Sequence, residues 1–126
     1  MILIDSDVLI WFTRGHIGAR ARLLQINSWR ISTITYIELA QGCRNKEELQ
    51  RVQDGLAALH TQILPVTPSI SEHAMSLINK HALADGLQLA DALIAATALE
   101  YQLTLLTGNI RHFAGIKQLD IERFEP

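Results

Sequence analysis

Short apolar runs alternate along this chain with longer stretches whose apolar residues recur every three or four positions. That alternation predicts an α/β domain built on a mostly parallel sheet. Strands are expected at Ile2 to Ile4, Arg30 to Ser32, Ile63 to Val66, Thr104 to Leu106 and Leu119 to Ile121. The central ones are apolar throughout, as befits parallel strands covered on both faces. Helices are expected from Asp7 to Thr13, stopped at Gly15, and from Ala19 to Ile26, with Ile17, Ala21 and Leu24 facing inward. Others are expected from Thr35 to Cys43 and from Asn45 to His60, where Asn45 and Glu48 have capping-box spacing and Leu49, Val52, Leu56 and Leu59 share one face. Thr67-Pro68-Ser69 opens the next helix, with Ser69 and Glu72 again at capping-box spacing, and that helix ends near Gly86. From Gln88 to Gln102 the residues Leu89, Ala92, Leu93, Ile94, Ala95, Ala96 and Ala98 leave no polar face, which predicts a helix buried nearly all round.

Composition narrows the picture. A chain of 126 residues points to a single domain, residues 1–126, with room for one apolar core. Hydrophobic residues make up 48% and charged residues only 19%, so the chain folds and carries an apolar surplus that a partner can cover. Eleven Lys and Arg against thirteen Asp and Glu give a net charge of −2, which excludes a protein that holds polyanions by bulk charge. The single Cys43 allows neither an internal disulfide nor a thiolate metal site, and a reducing, cytoplasmic setting fits it. Met1 to Ile4 runs straight into Asp5 with no basic stretch before it, unlike a signal peptide, and no run of about 18 apolar residues is free of charge, so no membrane segment is expected.

In an open parallel sheet, ligands bind beyond the carboxyl ends of the strands, so the residues just after each apolar run carry the information. They are acidic or amide side chains. Asp5, with Ser6 and Asp7, follows the first strand; Glu38 lies one helical turn beyond the second; Thr107, Gly108 and Asn109 follow the fourth; and Asp91 is the one charge in the first turn of the most apolar helix. Each has a structural alternative: Asp5 or Asp7 as a helix cap, Glu38 completing a capping box with Thr35, Asp91 at the positive end of its helix. Together they suggest something else. Carboxylates beside an apolar core are costly unless paired, no Lys or Arg is close to Asp5 or Asp91 in sequence, and one divalent cation would compensate them all. Oxygen donors without Cys or clustered His favour Mg²⁺ or Mn²⁺, and phosphodiester hydrolysis is the natural chemistry for such a site.

Four blocks carry a resemblance: Ile4-Asp5-Ser6-Asp7-Val8-Leu9-Ile10, Ser32-Thr33-Ile34-Thr35-Tyr36-Ile37-Glu38-Leu39, Ala90-Asp91-Ala92-Leu93-Ile94-Ala95-Ala96-Thr97-Ala98, and Leu106-Thr107-Gly108-Asn109 through His112-Phe113. In this order they resemble the motif blocks of VapC-type PIN-domain proteins. The resemblance implies a three-layer α/β/α domain with a central, mostly parallel sheet of about five strands. It also implies a Mg²⁺- or Mn²⁺-dependent endoribonuclease that acts as the toxin of a toxin–antitoxin pair. By position, Asp5, Glu38 and Asp91 would be the metal ligands, Asn109 would complete the catalytic group, Ser6 would orient Asp5, and Asp7 and Thr107 would support the site from behind. The family often has an acid where Asn109 or His112 stands here. Without it the site has less negative charge; Asp7 is a candidate to replace it in part, and a single tightly held ion is expected.

Charge is unevenly placed. Residues 1–30 contain four Arg against two Asp, whereas the remainder has seven basic and eleven acidic residues. Arg14, Arg20 and Arg22, helped by Arg111, are therefore the candidate RNA contacts. Trp11, Phe12 and Trp29 are available either to stack on bases or to pack in the interior. The exposed sides of the early helices and of the Asn45 to His60 helix are expected to form a homodimer face and an antitoxin groove, giving a toxin–antitoxin hetero-oligomer. Two other readings compete: an inert PIN-like module that binds RNA or protein, and a phosphoacceptor receiver domain. The receiver would need an acceptor Asp where Val66-Thr67-Pro68 stands and a Lys just after Leu106.

Overall fold

The computed structural model describes every residue from Met1 to Pro126. Five short strands, β1 (Ile2–Ile4), β2 (Arg30–Ser32), β3 (Gln62–Leu64), β4 (Thr104–Thr107) and β5 (Ile121–Arg123), run parallel wherever they pair. They form a three-stranded sheet, β1-β4-β5, and a two-stranded one, β2-β3, with β2 lying alongside β1. The spatial order is thus β3-β2-β1-β4-β5. In the β1–β4 register Leu3 stands opposite Leu105 and Ile4 opposite Leu106. Because side chains alternate across a strand, this places one apolar pair on each face.

Seven helices cover the two faces: α1 (Ser6–Thr13), α2 (Ile17–Leu24), α3 (Thr33–Gln41), α4 (Lys46–Ala58), α5 (Pro68–Asp85), α6 (Leu89–Glu100) and α7 (Ile110–Phe113). Leu3 and Leu105 pack with residues of α5 and α6, including Ile70, Leu77, Ile94 and Ala95, and with Phe113 and Ile116. Ile4 and Leu106 pack with Val8, Leu9, Leu23, Trp29, Ile31 and Leu56 on the other side. The sheet therefore divides the apolar interior into two layers.

Most helix ends follow local chemistry. Asn45 accepts the Glu48 N–H at 2.8 Å, and Glu48 reaches back one residue further than a standard capping box, accepting the Arg44 N–H at 2.7 Å. At α5 the cap is Thr67, which accepts the Ile70 N–H, with Pro68 in the first turn; Ser69 donates instead to Glu100, so the expected Ser69–Glu72 box does not form. The same helix ends on Gly86 at φ 73°, a left-handed position that suits a residue without Cβ. The expected inward face of α2 is wrong. Ile17 and Leu24 are 84% and 57% exposed and Ala21 is also outside, while Ala19 and Leu23 are buried. The small Ala19 lets α2 settle against α1, and the larger stripe is left on the surface.

Candidate active site

The chain order of the strands reverses between β1 and β4, and open α/β sheets place their ligands at such a reversal. Asp5 leaves β1 there and becomes the N-cap of α1. It is 6% exposed. Its Oδ1 accepts the Ser6 N–H at 2.8 Å, and its Oδ2 accepts the Thr107 hydroxyl at 2.7 Å from the end of β4. Thr107 Oγ1 in turn accepts the Asn109 N–H at 3.0 Å, so one hydroxyl ties Asp5 to the start of α7. Burial, followed by the charge of Asp7, outweighs the Thr107 and Ser6 hydrogen bonds and lifts the Asp5 carboxyl to about 6, with Glu38 adding to the rise.

Glu38 enters from α3, its Oε1 accepting the Ser6 hydroxyl at 3.0 Å. Ser6 therefore serves both acids: its backbone N–H holds Asp5, while its hydroxyl holds Glu38 rather than Asp5. The capping alternative for Glu38 fails, because α3 is capped by Ser32 and the buried Thr35 hydroxyl has no partner. Asp7 is a clamp. Its Oδ1 accepts the Val8 N–H and its Oδ2 the Gly108 N–H, each at 2.9 Å, so Asp7 ties the first turn of α1 to the junction after β4. Burial raises its carboxyl as well, partly offset by the Gly108 and Val8 bonds.

Asp91 lies in the first turn of α6. Its Oδ2 accepts the Gln88 N–H at 3.2 Å and stands 3.0 Å from His112 Nδ1, so it supports its helix and also faces the site. Asn109 Nδ2 is 3.0 Å from the same ring nitrogen. His112 is thus bound to the Asp91 end of the site. No three His, Cys, Asp or Glu side chains stand close enough together to enclose an ion as they are placed. Asp5 feels the charges of Asp7 and Glu38, whereas Asp91 pairs with His112.

The donor set nevertheless fits a hard divalent cation. Asp5 is buried beside two other carboxylates, and no Lys or Arg pairs with Asp5, Asp7 or Glu38. A divalent cation from outside the chain would offset that charge.

The comparisons decide the family. A PIN domain profile matches residues 2–118. The chain belongs to the PIN-domain family. This PIN domain is 37% identical over 123 residues to Ribonuclease VapC10 of Mycobacterium tuberculosis, covering 94% of this chain and 90% of that protein. Among solved structures it is similar to a toxin–antitoxin complex from Klebsiella pneumoniae, with a TM-score of 0.85, 29% identity and full coverage of both chains. It is also similar to VapBC-1 from nontypeable Haemophilus influenzae, with a TM-score of 0.78, 26% identity and 98% coverage of each chain. These likenesses agree with the three-layer α/β/α architecture, although the PIN sheet here is divided into three strands and two.

The PIN fold redistributes the basic and aromatic candidates. Arg22 donates to Glu122 through Nε at 2.6 Å and Nη2 at 2.8 Å, bracing α2 against β5, so it is structural. Arg20 sits 6.0 Å over the Phe12 ring. Arg111 is exposed on α7 beside His112, and Arg14 lines a cleft next to Glu38. The aromatic residues pack inside. Trp29 is buried and donates to Leu23 O at 3.0 Å, Phe12 meets it edge-on at 5.4 Å, and Trp11 packs on His16 at 5.1 Å. Arg44 and Arg51, absent from the sequence-level candidates, line the same cleft as Arg14. Their sequence neighbourhood, rich in Lys and Glu, reads as an ordinary solvated helix face.

Proposed function

We propose that this chain is a divalent-metal-dependent endoribonuclease that acts as the toxin of a toxin–antitoxin pair. The observation that carries the reading is the buried Asp5, held at the β1–β4 reversal by Ser6 and Thr107, beside Glu38 and without a cationic partner. PIN ribonucleases use divalent metal ions in general, and the all-oxygen acidic donors here favour Mg²⁺, with Mn²⁺ able to replace it. Asp5, Glu38 and Asp91 would hold the ion. Bound there, it would polarise a phosphoryl oxygen and lower the pKa of water for attack on an RNA phosphodiester.

The chain's own residues perform the positioning. Thr107 and Ser6 fix the rotamer of Asp5, and the Ser6 hydroxyl holds Glu38 at the same rim. Asn109 is oriented through its backbone by Thr107 and places its amide at the Asp91 end of the site. The relatives in toxin–antitoxin complexes support a cognate antitoxin as partner. The exposed stripe of α2 supports a homodimer or a hetero-oligomer with that antitoxin.

The test is cleavage of structured RNAs with and without Mg²⁺ or Mn²⁺, by the wild type and by Asp5→Ala and Asp91→Ala variants verified as folded by circular dichroism. Metal-dependent cleavage is expected, falling by well over about 100-fold in either variant. Cleavage that survives EDTA or Asp5→Ala overturns the assignment. A wild type inert on every RNA leaves only a binding module.

A further inference from the structure

His73, Ser76, Leu77, Lys80 and His81 share one face of α5 by their spacing, and with the loop between α7 and β5 they line a cavity of about 360 Å³. Lys117 and Gln118 stand on the loop side. The chain has only three lysines, and two of them are here. Lys80 and Lys117 are exposed and form no ion pair. No carboxylate lines the cavity. The acids beside its histidines are engaged: Asp85 Oδ2 is 2.8 Å from His81 Nδ1, and Glu100 Oε1 accepts the Ser69 hydroxyl at 2.8 Å and stands 3.5 Å from His73 Nδ1. Gly115 makes the first of these contacts possible. A Cβ there would collide with the Asp85 carboxylate, standing 2.7 Å from its Cγ, so the loop closes over Asp85 only because residue 115 has no side chain. A carboxylate accepts hydrogen bonds, so it holds the proton on His81 Nδ1 and leaves Nε2 for another partner.

We propose that this cavity binds a nucleoside monophosphate, its phosphate between Lys80 and Lys117 and its base on the apolar floor. The site is separate from the acidic one, since none of Asp5, Glu38 and Asp91 lines it, and the proposal does not depend on the ribonuclease reading. Three features favour this ligand. Two unpaired ammonium groups on different elements, with the Ser76 hydroxyl and the Gln118 amide beside them, supply donors for several oxygens of one phosphate and no acid to repel it. Leu77, 5% exposed, and Leu99 form an apolar floor that inorganic phosphate would leave bare. The neutral His81 ring presents Nε2 as an acceptor, which suits a ribose hydroxyl. The volume lies near the lower end of small-molecule sites, roughly 300–1,000 Å³, as a single nucleotide requires.

The experiment is calorimetric titration of the full-length protein with adenosine 5′-monophosphate, and separately with adenosine, ribose 5-phosphate and inorganic phosphate. EDTA is present throughout, so that no phosphate is held through an ion at the acidic site. Saturable binding of one adenosine 5′-monophosphate is expected, tighter than that of any of the three fragments. Lys80→Ala and Lys117→Ala should each weaken it by about fivefold to tenfold, since each removes a charge-assisted hydrogen bond. Lys117→Arg should recover part of the loss, and Lys46→Ala, which removes the remaining lysine on the exposed face of α4, should change nothing. Absence of binding overturns the proposal, as does binding that the double lysine variant keeps. Inorganic phosphate or adenosine binding as tightly as the nucleotide also overturns it, because either the floor or the phosphate would then contribute nothing. A 5′-phosphorylated tetranucleotide that binds more tightly than the mononucleotide, and loses this in the double variant, overturns the free nucleotide in favour of the end of a strand.

Discussion

Asp5 concentrates the conflict between folding and chemistry. An ionised carboxylate buried beside Asp7 and Glu38 is destabilising, and its value of about 6 against an ordinary 3.8 measures that conflict. Between those two values the folded chain binds more protons than the unfolded one, so metal-free stability falls as pH rises from about 4 to about 6. Above that window the folded state carries a handicap of about 3 kcal/mol from this residue. Replacing the charge should remove it. Asp5→Asn is expected to stabilise the metal-free protein at pH 7 by about 1–3 kcal/mol, since a neutral amide avoids most of the desolvation, while cleavage is lost. Urea unfolding at pH 4.5 and pH 7 checks this: the variant's advantage should be present at pH 7 and largely gone at pH 4.5. Added Mg²⁺ should stabilise the wild type at pH 7 and leave the variant nearly unmoved. The position of Asp5 was legible in the sequence from the apolar run before it. Its partners were less so, because Thr107 lies about a hundred positions away and only the parallel pairing of β1 with β4 brings the two together.

At the scale of elements, the site depends on how the β1–α1 and β4–α7 junctions are pinned. Asp7 accepts the Gly108 N–H, and a Cβ at Gly108 would stand 2.7 Å from Asp7 Oδ2 and 3.2 Å from the Phe124 carbonyl. Gly108→Ala is therefore expected to force the junctions apart and to cost about 1–3 kcal/mol. Its thermal unfolding temperature should drop together with activity, even though the variant leaves every acid in place. Arg22→Ala supplies a contrast at the neighbouring strand β5. The Arg22–Glu122 pair is partly exposed, with side chains at 29% and 36%, so its loss should cost only about 1 kcal/mol. KM for RNA should not change, which separates this bracing arginine from Arg14. Local pattern located most elements well, because continuous apolar runs and caps such as Asn45 and Gly86 act over a few residues. It misjudged α2, whose eight residues carry two apolar stripes, Ile17-Ala21-Leu24 and Ala19-Leu23. Periodicity favours the bulkier stripe, whereas packing against α1 selects the one with the smaller residue.

At the scale of the whole molecule, the net charge of −2 and the apolar surplus have local explanations. Asp5 and Glu38 are joined through Ser6 while Asp91 pairs with His112, and the unpaired arginines lining the cleft with Glu38 create a positive approach that bulk charge conceals. The apolar surplus is partly on the surface. Ile17 and Leu24 project from α2, and Leu83 and Leu89 stand exposed where α5 passes to α6, with Leu89, 74% exposed, opening the helix that carries Asp91. No helix is long and apolar enough to cross a membrane, so these residues do not form a membrane span. A stripe at helical spacing on a folded surface is suited to another protein. Ile17→Asp and Leu24→Asp change residues that the interior does not use, so each variant should keep its unfolding free energy within about 0.5 kcal/mol of the wild type. Light scattering of the isolated chain and of the chain co-expressed with the antitoxin proposed above would then show whether either assembly loses mass. Loss of the antitoxin with cleavage retained would make α2 the inhibitory face. Loss of self-association alone would make it the homodimer face. If both assemblies persist in both variants, the α2 stripe is not the covered surface, and Leu83 and Leu89 become the next residues to charge.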